Sequence, residues 1–340
     1  VDGDQLRQLY AHVARATGQQ DFVAARAAFL SSCGLRPRPD VPPPALGEPP
    51  PRLASLVRYH RPRRIDLLAL EHGGRDVAKF EDLSQADARR LVAWAQARRL
   101  NTVLTAPYTK RTDVPLADDD PTGGLYALIA SRGSQAEIIA DAEKGWTRDG
   151  NRAAGLALGY PPCCVEHFIT LSRDGLALTD GVNEAAVRSS VGIGGEIPWE
   201  MNTLSDFSPV GFTPCRVDCP EALAFARRVL VAVERGDAAG ARLVRETLQR
   251  PVLFFRLSLI VVLDGKPVGG QSKVSYRRVI QIEAGSPPLN AWLAREICDP
   301  LSSGDAVTLH ADALEVTREH TRVARWEVDD ARIPILFRFV

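Results

Sequence analysis

Two cysteine pairs, Cys163-Cys164 and Cys215-x3-Cys219, are the residues of this chain best suited to chemistry. Thiolates bind soft metal ions, attack electrophiles and close disulfides. The first pair lies in Gly159-Tyr160-Pro161-Pro162-Cys163-Cys164-Val165-Glu166-His167-Phe168. A proline cannot sit inside a helix but suits its first position, so Pro162 predicts a helix start with both cysteines in its first turn. Exposed amides and the positive end of the helix dipole favour a thiolate there. His167 follows Cys163 by four residues and Cys164 by three, which places it on a shared helix face. The second pair lies in Phe212-Thr213-Pro214-Cys215-Arg216-Val217-Asp218-Cys219-Pro220. Pro220 again suits a first helical position, with Cys219 as N-cap and Cys215 in the preceding turn.

Three chemistries remain open on these residues. Two facing helix starts could gather thiolates around an iron–sulfur cluster or zinc. Disulfides could instead join the two pairs. Thirdly, Cys163 or Cys164 could act as a nucleophile with His167 as base. Adjacent helical residues diverge by about 100°, so a metal set of one vicinal cysteine with Cys215, Cys219 and His167 is expected to form more easily than one using both. The remaining candidates are weaker. Cys33 and Cys298 are isolated and read as buried thiols. His12, His60, His72, His310 and His320 have no partner at ligand spacing, and Asp118-Asp119-Asp120 before Pro121 reads as a solvated turn. Gly192-Ile193-Gly194-Gly195 lacks dinucleotide-binding spacing, and no P-loop, G-x-S-x-G or H-E-x-x-H motif occurs.

The elements that must position these residues follow from periodicity. Residues 5–30 carry apolar side chains at helical spacings, and eight prolines between Pro37 and Pro51 mark an extended connector. Beyond it, short apolar runs at Ile65–Leu70, Thr102–Thr105, Leu125–Ala130 and Glu137–Ala140 read as strands. They alternate with a helix over Ser84–Ala97, capped by Ser84 and turning Leu91, Val92 and Trp94 inward. The stretch from Asn151 to Gly236 reads as helical, with its strongest helix over Pro220–Arg235 and another over Ala238–Gln249. A hairpin is expected from Val252–Leu263 and Val274–Ile282, with a turn signal at Asp264-Gly265. A short helix at Leu289–Ile297 and strands at Ala306–His310, Leu314–Thr317 and Ile333–Val340 complete the pattern. The expected class is α+β: an N-terminal α/β unit (1–145), a helical cysteine-bearing segment (146–250) and an antiparallel α+β unit (251–340). The last offers sheet edges on which an extended peptide could add as a strand.

At Gly159–Cys164 and Pro214–Cys219 the chain resembles a microbial family marked by G-Y-P-x-C-C followed by P-C-x3-C before a helix. Only five of its 42 basic residues are lysines. With this arginine-heavy composition it also resembles crocagin-type peptide-binding proteins of myxobacterial ribosomal-peptide biosynthesis. That resemblance implies a protein that grips a precursor peptide and assists its modification or cyclisation, with no catalytic residue to carry over. The alternatives are an iron–sulfur or zinc enzyme using Cys163, Cys164, Cys215 and Cys219, and the thiol catalyst. Basic and acidic residues balance at 42 each, so no net field recruits nucleic acid or an anionic membrane. There is no spanning apolar run, and Val1-Asp2-Gly3-Asp4 is not a signal sequence, which leads us to expect a soluble, cytoplasmic protein. A homo-oligomer is compatible with the sequence.

Overall fold

The computed structural model describes residues 64–83, 85–104, 126–143, 147–173, 197–205, 207–255, 259–268, 273–283, 299–310, 313–327, 335–337 and 339. The helical stretch near the N-terminus, the proline-rich connector, Ser84, Cys33, Cys298, the aspartate run and the 289–297 helix lie outside them. The fold is α+β, with antiparallel strand pairing throughout both sheets. It divides into two compact units, each built from separated stretches of chain. A cysteine unit takes Pro49–Thr170 and Ser205–Leu248, and a sheet unit takes Leu171–Leu204 and Gln249–Val340 together with the N-terminal stretch. One boundary between the units falls between Leu248 and Gln249.

The cysteine unit begins with α1 (Arg64–Glu71), β1 (Val77–Leu83), α2 (Gln85–Ala97), β2 (Asn101–Leu104) and β3 (Tyr126–Ser131). It continues with α3 (Gln135–Ala142), α4 (Arg148–Ala157), α5 (Pro162–Arg173), α6 (Pro220–Gly236) and α7 (Ala238–Leu248). Its three-stranded sheet has the order β1-β3-β2, and both neighbours run antiparallel to β3. β1 and β2 are therefore parallel to each other and joined through α2, so the strand–helix–strand rhythm is real but β3 enters between its strands. Alternate residues feed opposite faces, as the pleat requires. Ala78, Phe80, Leu128 and Ala130 pack with Leu70 of α1 and Leu91 and Ala95 of α2. Val77 and Ile129 pack with Ile139 of α3 and Ala154 of α4.

Two stretches expected as strands are helices here. In Arg-Ile-Asp-Leu-Leu-Ala-Leu-Glu the buried residues are Ile65, Asp66, Ala69 and Leu70, a helical rather than alternating spacing. Its leucines and alanine are strong helix formers, and no β-branched run opposes them. Glu137–Ala140 lies inside α3, which buries Ala136 and Ile139 three residues apart. β1 went unread because Val-Ala-Lys-Phe-Glu-Asp-Leu carries two acidic residues and a lysine. Lys79 is satisfied by Glu143 at 2.7 Å and Glu81 at 2.8 Å.

The sheet unit holds β4 (Val252–Phe255), β5 (Leu259–Pro267), β6 (Lys273–Glu283), α8 (Asp299–Ser303), β7 (Ala306–Leu309), β8 (Ala313–Arg318), β9 (Thr321–Glu327) and β10 (Ile335–Phe337). Its order is β10-β4-β5-β6-β7-β8-β9. The long apolar run from Val252 is two strands, with Phe255 paired to Leu259, and Asp264-Gly265 is no turn but part of β5. Leu253, Val261, Leu263, Val274 and Val316 are buried, and each large aliphatic side chain removed from water contributes about 1.5–3 kcal/mol. Tyr276 donates a 2.6 Å hydrogen bond to the Leu301 carbonyl of α8. Burial and the nearby Asp305 push its phenol well above the ordinary tyrosine range. β8 and β9 form a hairpin around Glu319 and His320, which adopt φ values of 49° and 67°. This is the geometry of a two-residue hairpin turn, and Asp305 stabilises it by accepting from the Glu319 amide at 2.9 Å. Among the described residues, no helix is long and apolar enough to cross a membrane.

Candidate metal centre

Each residue of Gly-Tyr-Pro-Pro-Cys-Cys has a separate local task. Gly159 has φ +76° and ends α4, with its own amide on the Leu156 carbonyl and the Tyr160 amide on the Gly155 carbonyl. Only glycine takes that conformation without strain. Tyr160 then packs against Phe212 at 4.6 Å between ring centroids, and Phe212 against Phe225 of α6 at 5.3 Å. The Tyr160 hydroxyl also donates to the Gly211 carbonyl at 3.3 Å. Pro162 starts α5, and the Pro161 carbonyl accepts from the Cys164 and Val165 amides. The aromatic contacts thereby hold the start of α5 beside the loop that carries the second cysteine pair.

That loop is built equally locally. Arg216 grips Asp218 through two hydrogen bonds, at 2.9 and 2.7 Å, and the Cys219 amide donates to the Arg216 carbonyl. Cys219 is the N-cap of α6 with Pro220 at its first position, as the sequence predicts. α6 packs on α1, where Arg75 pairs with buried Asp66 at 2.6 Å and lies over the Phe225 ring. Both cysteine pairs therefore hang from elements anchored in the unit's core.

The four sulfurs converge. Cys163 Sγ is 3.8 Å from Cys164 Sγ and 3.7 Å from Cys219 Sγ, and Cys164 Sγ is 3.8 Å from Cys219 Sγ. With Cys215 included, all four lie within 4.8 Å of one another. The Cys215 amide donates to Cys164 Sγ at 3.4 Å, the kind of contact that orients a thiolate ligand. The expected difficulty with vicinal cysteines does not arise. Cα–Cβ bonds tilt towards a helix's N-terminus, and in the first turn that direction carries both side chains past the helix end to a common point. His167 is not in the group. Its Nε2 is buried without a hydrogen-bond partner, and burial lowers its pKa. None of the four cysteines is in a disulfide.

Burial sets the protonation of these thiols more than the helix ends do. It is the leading influence pushing the Cys163 thiol up to about 12, and neighbouring thiols add to it. Cys164 and Cys215 are also pushed up, again chiefly by burial. Cys219 alone shifts down. Burial opposes ionisation there too, but the Ala222 amide and the three other thiols favour its thiolate, although the sulfur makes no regular capping hydrogen bond. A cation among the sulfurs would supply the charge that this crowded group lacks.

Comparison with known proteins finds no matching family model, no similar curated protein and no similar solved structure. The geometry of this chain is therefore what speaks for its function. Sequence spacing located all four cysteines but overrated His167. It also missed the aromatic contacts of Tyr160, Phe212 and Phe225, whose only signal was an aromatic residue a few positions before each cysteine pair.

Proposed function

We propose that Cys163, Cys164, Cys215 and Cys219 hold a single zinc ion that clasps the start of α5 to the start of α6. The supporting observation is the spacing of the sulfurs. Tetrahedral zinc has Zn–S bonds of about 2.3 Å, which places its sulfurs about 1.63 times that far apart, or roughly 3.8 Å. The sulfurs of Cys163, Cys164 and Cys219 stand 3.7 to 3.8 Å apart, and all four lie within 4.8 Å of one another. An iron–sulfur cluster interposes several irons and sulfides and spreads its thiolates more widely than one ion does. Four protein thiolates also fill every tetrahedral position, the pattern of a structural site rather than a catalytic one. Thiol catalysis draws less support, because His167, its candidate base, has a buried Nε2 without a hydrogen-bond partner and bonds to neither thiol.

Anaerobic purification followed by metal analysis should give one zinc per chain. Cobalt substitution should produce intense thiolate-to-cobalt charge transfer and tetrahedral d–d absorption. A metal-free protein with full thermal stability and no cobalt spectrum would overturn the assignment.

Peptide binding, the activity implied by the resemblance to crocagin-type proteins, is a second reading favoured by one observation. β9 is an edge of the seven-stranded sheet, pairs only with β8 among the described residues, and exposes Thr321, Arg322, Val323 and Arg325. Such an edge offers main-chain groups to an extended precursor peptide. Calorimetry with a co-encoded precursor peptide tests it, and undetectable binding would remove it.

A further inference from the structure

The hairpin of β5 and β6 carries a second, separate constellation in the sheet unit. Between the pairs Val262↔Gln281 and Gly265↔Tyr276, β6 contains two more residues than β5. The register shifts twice, on either side of the Leu263↔Val279 pair. Bulges re-aim side chains and are common beside binding sites. The second shift sets both Arg277 and Arg278 opposite the single residue Asp264. The Asp264 carboxylate lies 3.4 Å from Arg277 Nη2, 3.5 Å from Arg278 Nε and 3.9 Å from Arg250 Nη2.

Arg277 and Arg278 thus share one carboxylate, and neither grips it closely. Arg216 and Asp218 elsewhere in the chain form two contacts at 2.9 and 2.7 Å, the fork geometry an arginine and a carboxylate adopt when each satisfies the other. Asp264 is largely buried, whereas the side chains of Arg277 and Arg278 are 86% and 56% exposed. Residues 250–283 carry six basic and two acidic side chains in a chain whose net charge is zero. At this site two exposed guanidiniums, those of Arg277 and Arg278, face the one carboxylate of Asp264.

We propose that Arg277 and Arg278, backed by Arg250, form a binding site for an oxyanion group, a phosphate or a cluster of carboxylates, and that Asp264 holds the guanidiniums in place as an internal competitor. A planar guanidinium with open N–H donors is the side chain best matched to both groups. The site rests on neither the metal nor the peptide-edge assignment.

The test is calorimetric titration of the full chain at low salt with inorganic pyrophosphate and, separately, with a tri-aspartate peptide. Binding should weaken at least about tenfold in the Arg277→Ala, Arg278→Ala double variant, as expected for loss of charge-assisted hydrogen bonds, and should fall with added salt. Asp264→Asn should tighten binding several-fold, because it removes the carboxylate that competes for the same N–H donors. Preference for pyrophosphate identifies a phosphate site, and preference for the peptide a carboxylate site. Binding unchanged in the double variant, or no binding of either probe to the native chain, overturns the proposal. If Asp264→Asn does not melt as the native chain does, the double variant decides alone.

Discussion

The two units hold their shape by different means. In the sheet unit, seven strands are linked in one antiparallel ladder, and buried valines and leucines from neighbouring strands meet along its length. In the cysteine unit three short strands pair among the described residues, with helices on both faces. The junction between its two stretches of chain near Cys164 and Cys219 has thiols where a core would have aliphatic side chains. A ladder distributes stability over many bonds, whereas a clasp concentrates it at one point. Losses should therefore be local and large in one unit, and graded in the other.

Removing the proposed zinc ion is the strongest way to break that contrast. Chelation, or Cys164→Ser, should lower the stability of the cysteine unit by several kcal/mol, less than the roughly 10–16 kcal/mol of zinc-finger peptides that have no other core. Hydrogen exchange should show residues 160–170 and 213–225 losing protection while β5 and β6 keep theirs. Equal loss in both units would refute the contrast. In the sheet unit, Tyr276→Phe removes one of two hydrogen bonds the Leu301 carbonyl accepts, the other coming from the Gly304 amide, and should cost about 0.5–1.5 kcal/mol, read from denaturant unfolding, with metal content unchanged.

Gly159→Ala sharpens the comparison further. No atom lies within 4 Å of the added methyl, so the cost is backbone strain alone, about 1–2 kcal/mol, and the variant should still bind one ion. The smallest effect concerns Lys79. Burial alone would lower its pKa, but Glu81 and Glu143 raise it overall. A raised folded-state value means that its stabilisation is complete below the unfolded lysine value of about 10.4 and disappears as the pH climbs through the folded one. Lys79→Met should flatten the decline in melting temperature above pH 10.

The candidate site was largely legible because each step was local. A proline at the first helical position, a cysteine at the N-cap and a glycine ending the preceding helix need no knowledge of tertiary structure. His167 misled because helical spacing shows which residues share a face but not whether that face meets the thiols. Elsewhere legibility failed where a local signal was overruled or lacking. Ile65–Leu70 is apolar enough for a strand, yet only its burial pattern reveals the helix. β9 escaped notice because Glu319-His320 is not a recognisable turn pair, and the Asp305 carboxylate that supports it is remote in sequence. The paired shifts in β6 depend on cross-strand register, which composition does not encode. With them the Arg277–Asp264 constellation was invisible in the sequence.

The thiol clasp also has a polymer consequence. Cys164 and Cys215 are 51 positions apart, so once the sulfurs are joined through an ion the chain between them becomes a closed ring. The entropy of closing a flexible ring grows only logarithmically with its length, by about 0.6 kcal/mol per doubling. A separation of 51 positions therefore makes closure only modestly more costly than a ring of half that length would be.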